Sequence, residues 1–177
     1  MNQTYMKEKK IFPLVMSMAL PMMLSMAFNS LYNIVDSYFV AKLSEDAMTA
    51  LSLVYPAQNL LTAVAVGFGV GVNAMISFYL GAQNQEKADK TATQGIVLGV
   101  LHGVLLMALF LCGMNLFLGM FTKSDAVRAL GMEYSNVVFL FSVIVTGGIT
   151  LEKIFQAVGR MRATMVSMIA GFVTNIV

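Results

Sequence analysis

Charged residues are scarce in this sequence. Only 11% of its 177 residues are charged and 58% are hydrophobic, whereas a soluble globular domain carries about 25% charged residues. No soluble core of this length buries that much apolar surface, so the composition indicates a polytopic membrane protein. The net charge is only +2, and it offers no electrostatic footprint for binding nucleic acid.

Cysteine and histidine are also nearly absent, with Cys112 and His102 as single examples. One cysteine cannot form an internal disulfide. A lone histidine, a lone cysteine and scattered acids do not make a metal site. No pair of nucleophile and base is apparent either, so we expect neither an enzyme nor a bound cofactor.

Long apolar runs separated by short polar stretches define the organisation of the chain. A helix needs about 20 apolar residues to cross a bilayer. Four segments meet this requirement, and a fifth is too short to span: about 12–40, 51–80, 91–118 and 134–158, then 163–177. We therefore predict an all-α integral membrane protein, a single transmembrane domain with four full spans and an incomplete fifth. We expect the functional unit to continue beyond Val177. Loops are predicted at 42–46, 83–90, 123–131 and 159–162.

The distribution of positive charge predicts the orientation of these spans. Cytoplasmic loops carry an excess of lysine and arginine. One side would hold eight basic residues: Lys7, Lys9, Lys10, Lys87, Lys90, Lys153, Arg160 and Arg162. The other side would hold three: Lys42, Lys123 and Arg128. The N-terminus is therefore predicted to lie in the cytoplasm.

Glycines recur every four residues in two of the predicted spans. Gly95, Gly99 and Gly103 share one face of the third span, and Gly67 and Gly71 share one face of the second. Small residues at this spacing let helix backbones approach closely in lipid. Both faces are predicted to be helix contacts.

Asp36 is the only charged residue within the apolar run 11–40. Placing a carboxylate in a bilayer costs roughly 2.5–3.5 kcal/mol on insertion scales, and such residues usually face a cavity, a partner or an ion path. At about 100° per residue the polar side chains share one stripe of the helix, about 100° wide: Ser25, Asn29, Tyr32, Asn33 and Asp36. The stripe predicts a helix that lines a cavity.

The chemistry expected of Asp36 follows from that environment. Desolvation disfavours the charged form of an acid, so such a group can hold a proton and release it when water or a cation arrives. Amide and phenol oxygens nearby can also complete a shell for a small cation such as Na⁺. Alternatively, Asp36 caps the outer end of its helix among lipid headgroups, beside Tyr38 and Lys42. The polar stripe, which runs back nearly three turns to Ser25, favours the cavity.

Other polar groups within the spans have simpler interpretations. His102 is expected to be a hydrogen-bonded packing residue rather than a proton relay. Glu152 and Lys153 lie near a helix end, where they can pair or extend toward water, and a structural role is expected.

Six short strings occur in an order and spacing that resemble a known family. They are ALPM at 19–22, LYNIVDSYFV at 31–40, GVGVN at 69–73, ISFYLGA at 76–82, FQAVGR at 155–160 and NIV at 175–177. Together they resemble the N-terminal part of the multidrug and toxic compound extrusion (MATE) family, along the whole chain. The resemblance implies a fold of twelve helices in two six-helix halves, of which this chain supplies four helices and part of a fifth.

The resemblance also assigns roles to individual residues. It places the coupling acid of the first helix at Asp36 and the asparagine of the fifth helix at Asn175. Cavity positions fall on Asn29 and Tyr32, with Asn33 beside them on the same stripe, and a bend of the first helix falls on Pro21. The family pattern has a second acid four residues after the asparagine, beyond Val177.

The resulting functional prediction is an antiporter that exports drugs and toxic organic compounds in exchange for H⁺ or Na⁺. Its expected partners are the bilayer, small cationic or neutral substrates and the C-terminal part of the transporter, and not nucleic acid. A flippase for lipid-linked saccharides is an alternative, but a pyrophosphate headgroup calls for basic residues inside the spans. A second alternative is a truncated product, or a half-module, that does not transport by itself.

Overall fold

The structure, a computed structural model, describes residues 10–176, with side chains through residue 174. This part of the chain forms six helices: α1 (Ile11–Ala41), α2 (Glu45–Gly81), α3 (Gln85–Phe121), α4 (Asp125–Leu140), α5 (Ser142–Ala157) and α6 (Met161–Ile176). The predicted all-α membrane class is confirmed.

Three of the helices, α1, α2 and α3, are long and apolar enough to cross a bilayer. The fourth crossing is broken, because α4 and α5 meet at 48° across Phe141. The segment predicted as one span over 134–158 therefore contains a bend. At the bend the Ser142 hydroxyl donates to the Phe139 carbonyl at 2.7 Å, a local bond of the kind that competes with the helical ladder.

Polar caps start three helices inside stretches predicted as loops. Ser44, Asn84 and Ser124 each accept a hydrogen bond from a backbone N–H three residues later, at 3.0, 3.0 and 3.3 Å. The largest correction concerns 123–131, predicted as a loop, where α4 begins at Asp125. Counting apolar residues locates only the part of a helix that crosses the lipid. A polar N-cap residue starts the helix earlier, in the segment exposed to water.

Helices α2, α3, α4 and α5 pack into one body. Its core lies in two clusters at opposite ends. One cluster joins α2, α3 and α4, where Phe110 and Phe139 stack with ring centres 4.4 Å apart. The other joins α2 to the start of α3 around Val72, Ile76 and Ala88, with Ile154 of α5 packed against it.

A seam of glycines lies between these two clusters. A β-carbon added at Gly99 would lie 2.5 Å from the Thr150 hydroxyl of α5, and one added at Gly103 would collide with Thr146. One added at Gly95 would lie 2.7 Å from Val72 of α2. The prediction that this face of α3 is a close helix contact is confirmed.

The corresponding prediction for α2 is wrong. Among the residues that the structure describes, none lies within 4 Å of a β-carbon added at Gly67 or Gly71. The close contact of this helix is made instead by Gly69, where an added β-carbon would lie 2.8 Å from the Lys153 side chain of α5. Glycine spacing identified the right segment but the wrong face.

Helix α1 stands apart from the four-helix body. It packs mainly along α6 and only lightly on α2, and Phe28 meets Phe172 of α6 with ring centres 5.4 Å apart. Among the described residues of α1 only Ser25 is buried. The helix that carries the polar stripe is therefore only lightly held by the body.

Candidate functional site

The polar stripe of α1 is an ordered set of side chains. Ser25 is buried and donates to the Pro21 carbonyl at 2.9 Å. One turn further on, the Asn33 amide donates to both the backbone and side-chain oxygens of Asn29, at 2.9 and 3.1 Å. Tyr32 and Asp36 are half-buried, whereas Asn29 and Asn33 are exposed. The stripe thus presents hydroxyl, amide and phenol groups in sequence toward the carboxylate.

Asp36 interacts with two phenols from different helices. Its carboxylate acts electrostatically on Tyr32, one turn earlier on α1, and on Tyr134 of α4. The Tyr134 hydroxyl accepts a hydrogen bond from the Gln58 amide of α2 at 3.2 Å. Asp36 is therefore linked electrostatically to the body through Tyr134, which is in turn bonded to Gln58.

Two cavities flank this group. A cavity of about 180 Å³ lies between α1 and α6 and is lined by Phe28, Asn29, Tyr32, Met168, Gly171 and Phe172. A second, of about 390 Å³, lies between the end of α1, the start of α2 and α4, and Tyr134 borders it together with Glu133 and seven apolar residues. The two phenols on which Asp36 acts thus each line one of these cavities.

The structure brings together part of the predicted site. Tyr32 lies beside Asp36, and Asn29 and Tyr32 line the same cavity. Asn33 does not line it, and bonds to Asn29 instead. Asn175 lies on α6, but its side chain falls outside the described residues. Pro21 lies inside α1, which runs unbroken from Ile11 to Ala41, so the bend stays a prediction.

Two members of the group were not found from the sequence. Tyr134 stands between Glu133 and Ser135, and Gln58 is followed by Asn59, so neither differs visibly from its polar neighbours in the sequence. A tyrosine or glutamine in a membrane helix usually finds a partner, so their presence was the available signal. The partner itself depends on how α2 and α4 meet α1, which periodicity along one helix does not reveal.

The remaining predicted polar groups lie elsewhere. The His102 ring stacks on Phe68 with centres 4.8 Å apart, and its Nδ1 lies 2.7 Å from the Leu98 carbonyl oxygen. This is the packing role expected. Glu152 and Lys153 form an ion pair at 3.2 Å, far along the chain from the Asp36 group.

Comparison with known proteins gives a consistent match. The MatE family model matches residues 21–177. The multidrug export protein MepA of Staphylococcus aureus is 28% identical over 174 residues, which cover 98% of this chain and 39% of MepA. Its counterpart in Staphylococcus haemolyticus is 27% identical over the same share of this chain and 38% of its own length.

Solved structures agree with this match. A crystal structure of a mutant MATE protein superposes with a TM-score of 0.90 and 26% identity, covering 97% of this chain and 39% of the other. The outward-facing conformation of a multidrug resistance MATE family transporter superposes with a TM-score of 0.86 and 25% identity, covering 90% of this chain and 35% of the other. The chain spans about two fifths of the length of the relatives it matches.

Proposed function

This chain belongs to the MatE family, and on that premise we propose that it supplies the first helices of a membrane transporter that exports organic compounds in exchange for H⁺ or Na⁺. The observation that carries the proposal is the half-buried carboxylate of Asp36, set between the phenols of Tyr32 and Tyr134. An isolated charge in a membrane helix is costly in lipid, so an acid that is held in such a group usually has a functional role.

The proposed mechanism uses the weak attachment of α1. When Asp36 holds a proton or Na⁺, its charge is neutralised and its attraction for phenol donors falls. When the cation leaves, the carboxylate again recruits both phenols, one on α1 and one on the body. Exchange of the cation at Asp36 would thereby change how α1 sits against α4. Because α1 contacts the body lightly, such a change requires little disruption of packing.

Organic cations and neutral compounds are the proposed substrates. The curated relatives are described as multidrug export proteins. The cavity beside Asp36 has aromatic and thioether walls with one amide and one phenol, a lining suited to varied apolar molecules. No lysine or arginine lines either cavity at Asp36 among the described residues, which favours this class over a pyrophosphate-linked saccharide.

The orientation of the chain is part of the same proposal. With the N-terminus in the cytoplasm, as the distribution of lysine and arginine predicts, Asp36 lies toward the outer end of α1. The protein would sit in the cytoplasmic membrane with the α2–α3 turn and the α5–α6 turn on the inner side.

Reconstitution of the full encoded protein tests the proposal directly. Proteoliposomes would be loaded with ethidium, and efflux would be followed after imposing an inward gradient of either H⁺ or Na⁺. We expect one of the two gradients to drive efflux above that of vesicles without protein. Efflux that is absent under both gradients, from protein shown to be inserted and folded, would contradict the proposed function.

Tyr134→Phe tests the contact between Asp36 and the body. The substitution removes the hydroxyl that accepts from Gln58, and keeps the ring that borders the second cavity. Because the phenol would no longer compete with the cation for the Asp36 carboxylate, we expect the cation concentration that gives half-maximal efflux to fall about tenfold, the size of one charge-assisted hydrogen bond. The measurement is the cation concentration that gives half-maximal efflux. Tyr55→Phe is the matched control, since Tyr55 is 58% exposed on α2, and it should leave that concentration unchanged.

A further inference from the structure

A larger cavity than either of those at Asp36 lies between α5 and α6. Its volume is about 550 Å³, within the range of sites that hold drug-sized molecules. Most of its walls are apolar: Ile144, Val145, Gly148, Ile149, Leu151, Phe155, Ala163 and Met168. Three polar residues complete the lining, Glu152, Thr164 and Ser167. We call it the α5–α6 cavity.

Glu152 supplies the only charge in this lining, and half of its carboxylate is already engaged. Oε1 accepts from the Lys153 ammonium at 3.2 Å and from the Gln156 amide at 2.6 Å. Among the described residues both bonds end on Oε1, so Oε2 has no protein partner. The side chain of Glu152 is 24% exposed, and the unengaged oxygen is the natural contact for a positive ligand.

Lys153 is held where it cannot cover the whole carboxylate. Its side-chain stem packs against Gly69 of α2, and its backbone carbonyl accepts from the Asn73 amide at 2.8 Å. The ammonium also donates to the Gln156 side-chain oxygen at 3.3 Å. These contacts tie the lysine stem and backbone to α2, and Lys153 is not among the described residues that line the cavity.

Thr164 is a second polar group in the lining that lacks a hydrogen-bond partner among the described residues. It is 7% exposed, and its Oγ1 is buried without a hydrogen-bond partner in the described part of the chain. Buried hydroxyls are almost always paired, and an unpaired one costs about 1–3 kcal/mol. An unsatisfied hydroxyl and a half-engaged carboxylate therefore line one cavity.

We propose that the α5–α6 cavity is a second binding site, which takes a lipophilic organic monocation with Glu152 as its counter-ion. The walls provide apolar contact and the carboxylate provides one charge, which is the complement of such a molecule. A small metal ion would need several oxygen ligands, and no group of three acidic, histidine or cysteine side chains is found in the described residues. The proposal rests on the proposed function, in that the bound cation would be cargo.

The site is distinct from the Asp36 group by its place in the bundle. Asp36 lies five residues before the end of α1, whereas Glu152 lies five residues before the end of α5. Because successive crossings alternate in direction, these two ends are on opposite sides of the membrane. A site at the α5–α6 turn would receive cargo from the side on which the N-terminus lies.

Protection of a cysteine at position 167 tests the proposal. Ser167→Cys would be placed in the full encoded protein with every other cysteine, Cys112 included, changed to serine. Its reaction with N-ethylmaleimide would be followed by mass, with and without tetraphenylphosphonium. We expect the cation to slow the reaction, and uncharged triphenylphosphine oxide to have little effect. Equal protection by both compounds, or by neither, would overturn the proposal.

Charge variants in the same background identify the counter-ion. Glu152→Gln should raise the half-protecting concentration of tetraphenylphosphonium about tenfold, the size of one charge contact. Lys153→Met keeps the stem against Gly69 and removes the competing ammonium, so it should lower that concentration. Glu86→Gln, at an exposed acid on α3, is the matched control and should leave it unchanged. Glu152→Gln behaving like this control, or no gain from Lys153→Met, would count against Glu152.

Two further measurements distinguish failure of the α5–α6 site from failure of the proposed function. Asp36→Asn should leave protection intact, and its loss there would assign the cation to the Asp36 group instead. Ethidium efflux by the same protein is the second measurement. Efflux without protection overturns the α5–α6 site alone, whereas protection without efflux under either gradient contradicts the proposed export.

Discussion

Replacing Asp36 with asparagine should abolish cation-driven efflux by the full encoded protein while leaving its membrane insertion intact. Asparagine has nearly the same shape and can still bond to the Tyr32 phenol, but it can neither release a proton nor neutralise a bound Na⁺. The carboxylate is the only charge in the described part of α1, so no neighbour on that helix can replace it. We expect gradient-driven ethidium efflux to fall to the level of vesicles without protein.

Asp46→Asn is the matched control for this experiment. Asp46 is an exposed acid in the first turn of α2, where loss of its charge weakens only a helix-end interaction of about 0.3–1 kcal/mol. Its efflux should equal that of the unmodified protein. Full efflux by Asp36→Asn, at unchanged protein level in the membrane, would refute the coupling role given to Asp36.

The parts of the site that lie along one helix were accessible from the sequence. The polar stripe from Ser25 to Asp36 appears at helical spacing, and in the structure Asn33 bonds to Asn29 while Asp36 acts electrostatically on Tyr32. Helical geometry is local, so 3.6 residues per turn fixes which side chains share a face. The sequence and the structure therefore give Asp36 the same neighbours on α1.

The parts that depend on how helices meet were not accessible in the same way. The proximity of Tyr134 to Asp36 depends on how α4 is placed relative to α1. The bend between α4 and α5 at Phe141 is likewise a feature of the folded arrangement. The sequence around Phe141 contains neither proline nor glycine, the usual markers of a break. A hydroxyl bond from Ser142 and a change in packing partners leave little trace in hydropathy.

Glycine spacing as a predictor of helix contacts shows the same limit on α2 and α3. Spacing of four selected Gly95, Gly99 and Gly103 correctly, and selected Gly67 and Gly71 wrongly. The difference lies in the partner: α5 presents threonines to α3, whereas on α2 the approaching group is Lys153, which contacts Gly69. A run of alternating glycines permits contact on more than one face, and only the neighbouring helix decides which face is used.

Replacing Gly103 with alanine should destabilise the four-helix body. The added methyl group would collide with the Thr146 hydroxyl and would lie 2.8 Å from the Val143 α-carbon of α5. A side chain can rotate away, but a backbone atom moves only if α5 moves. Overpacking of this kind costs about 1–3 kcal/mol, and we expect a lower thermal-unfolding midpoint in detergent and less protein in the membrane.

Gly67→Ala makes the same chemical change on α2 and should have the opposite effect. No atom in the described part of the chain lies within 4 Å of its added methyl group, and alanine is favoured over glycine inside a helix by about 0.5–1 kcal/mol. The unfolding midpoint should therefore stay equal or rise. Since both variants add one methyl group to a membrane helix, a difference between them measures the seam itself. Equal midpoints would show that α3 and α5 are not in close contact at Gly103.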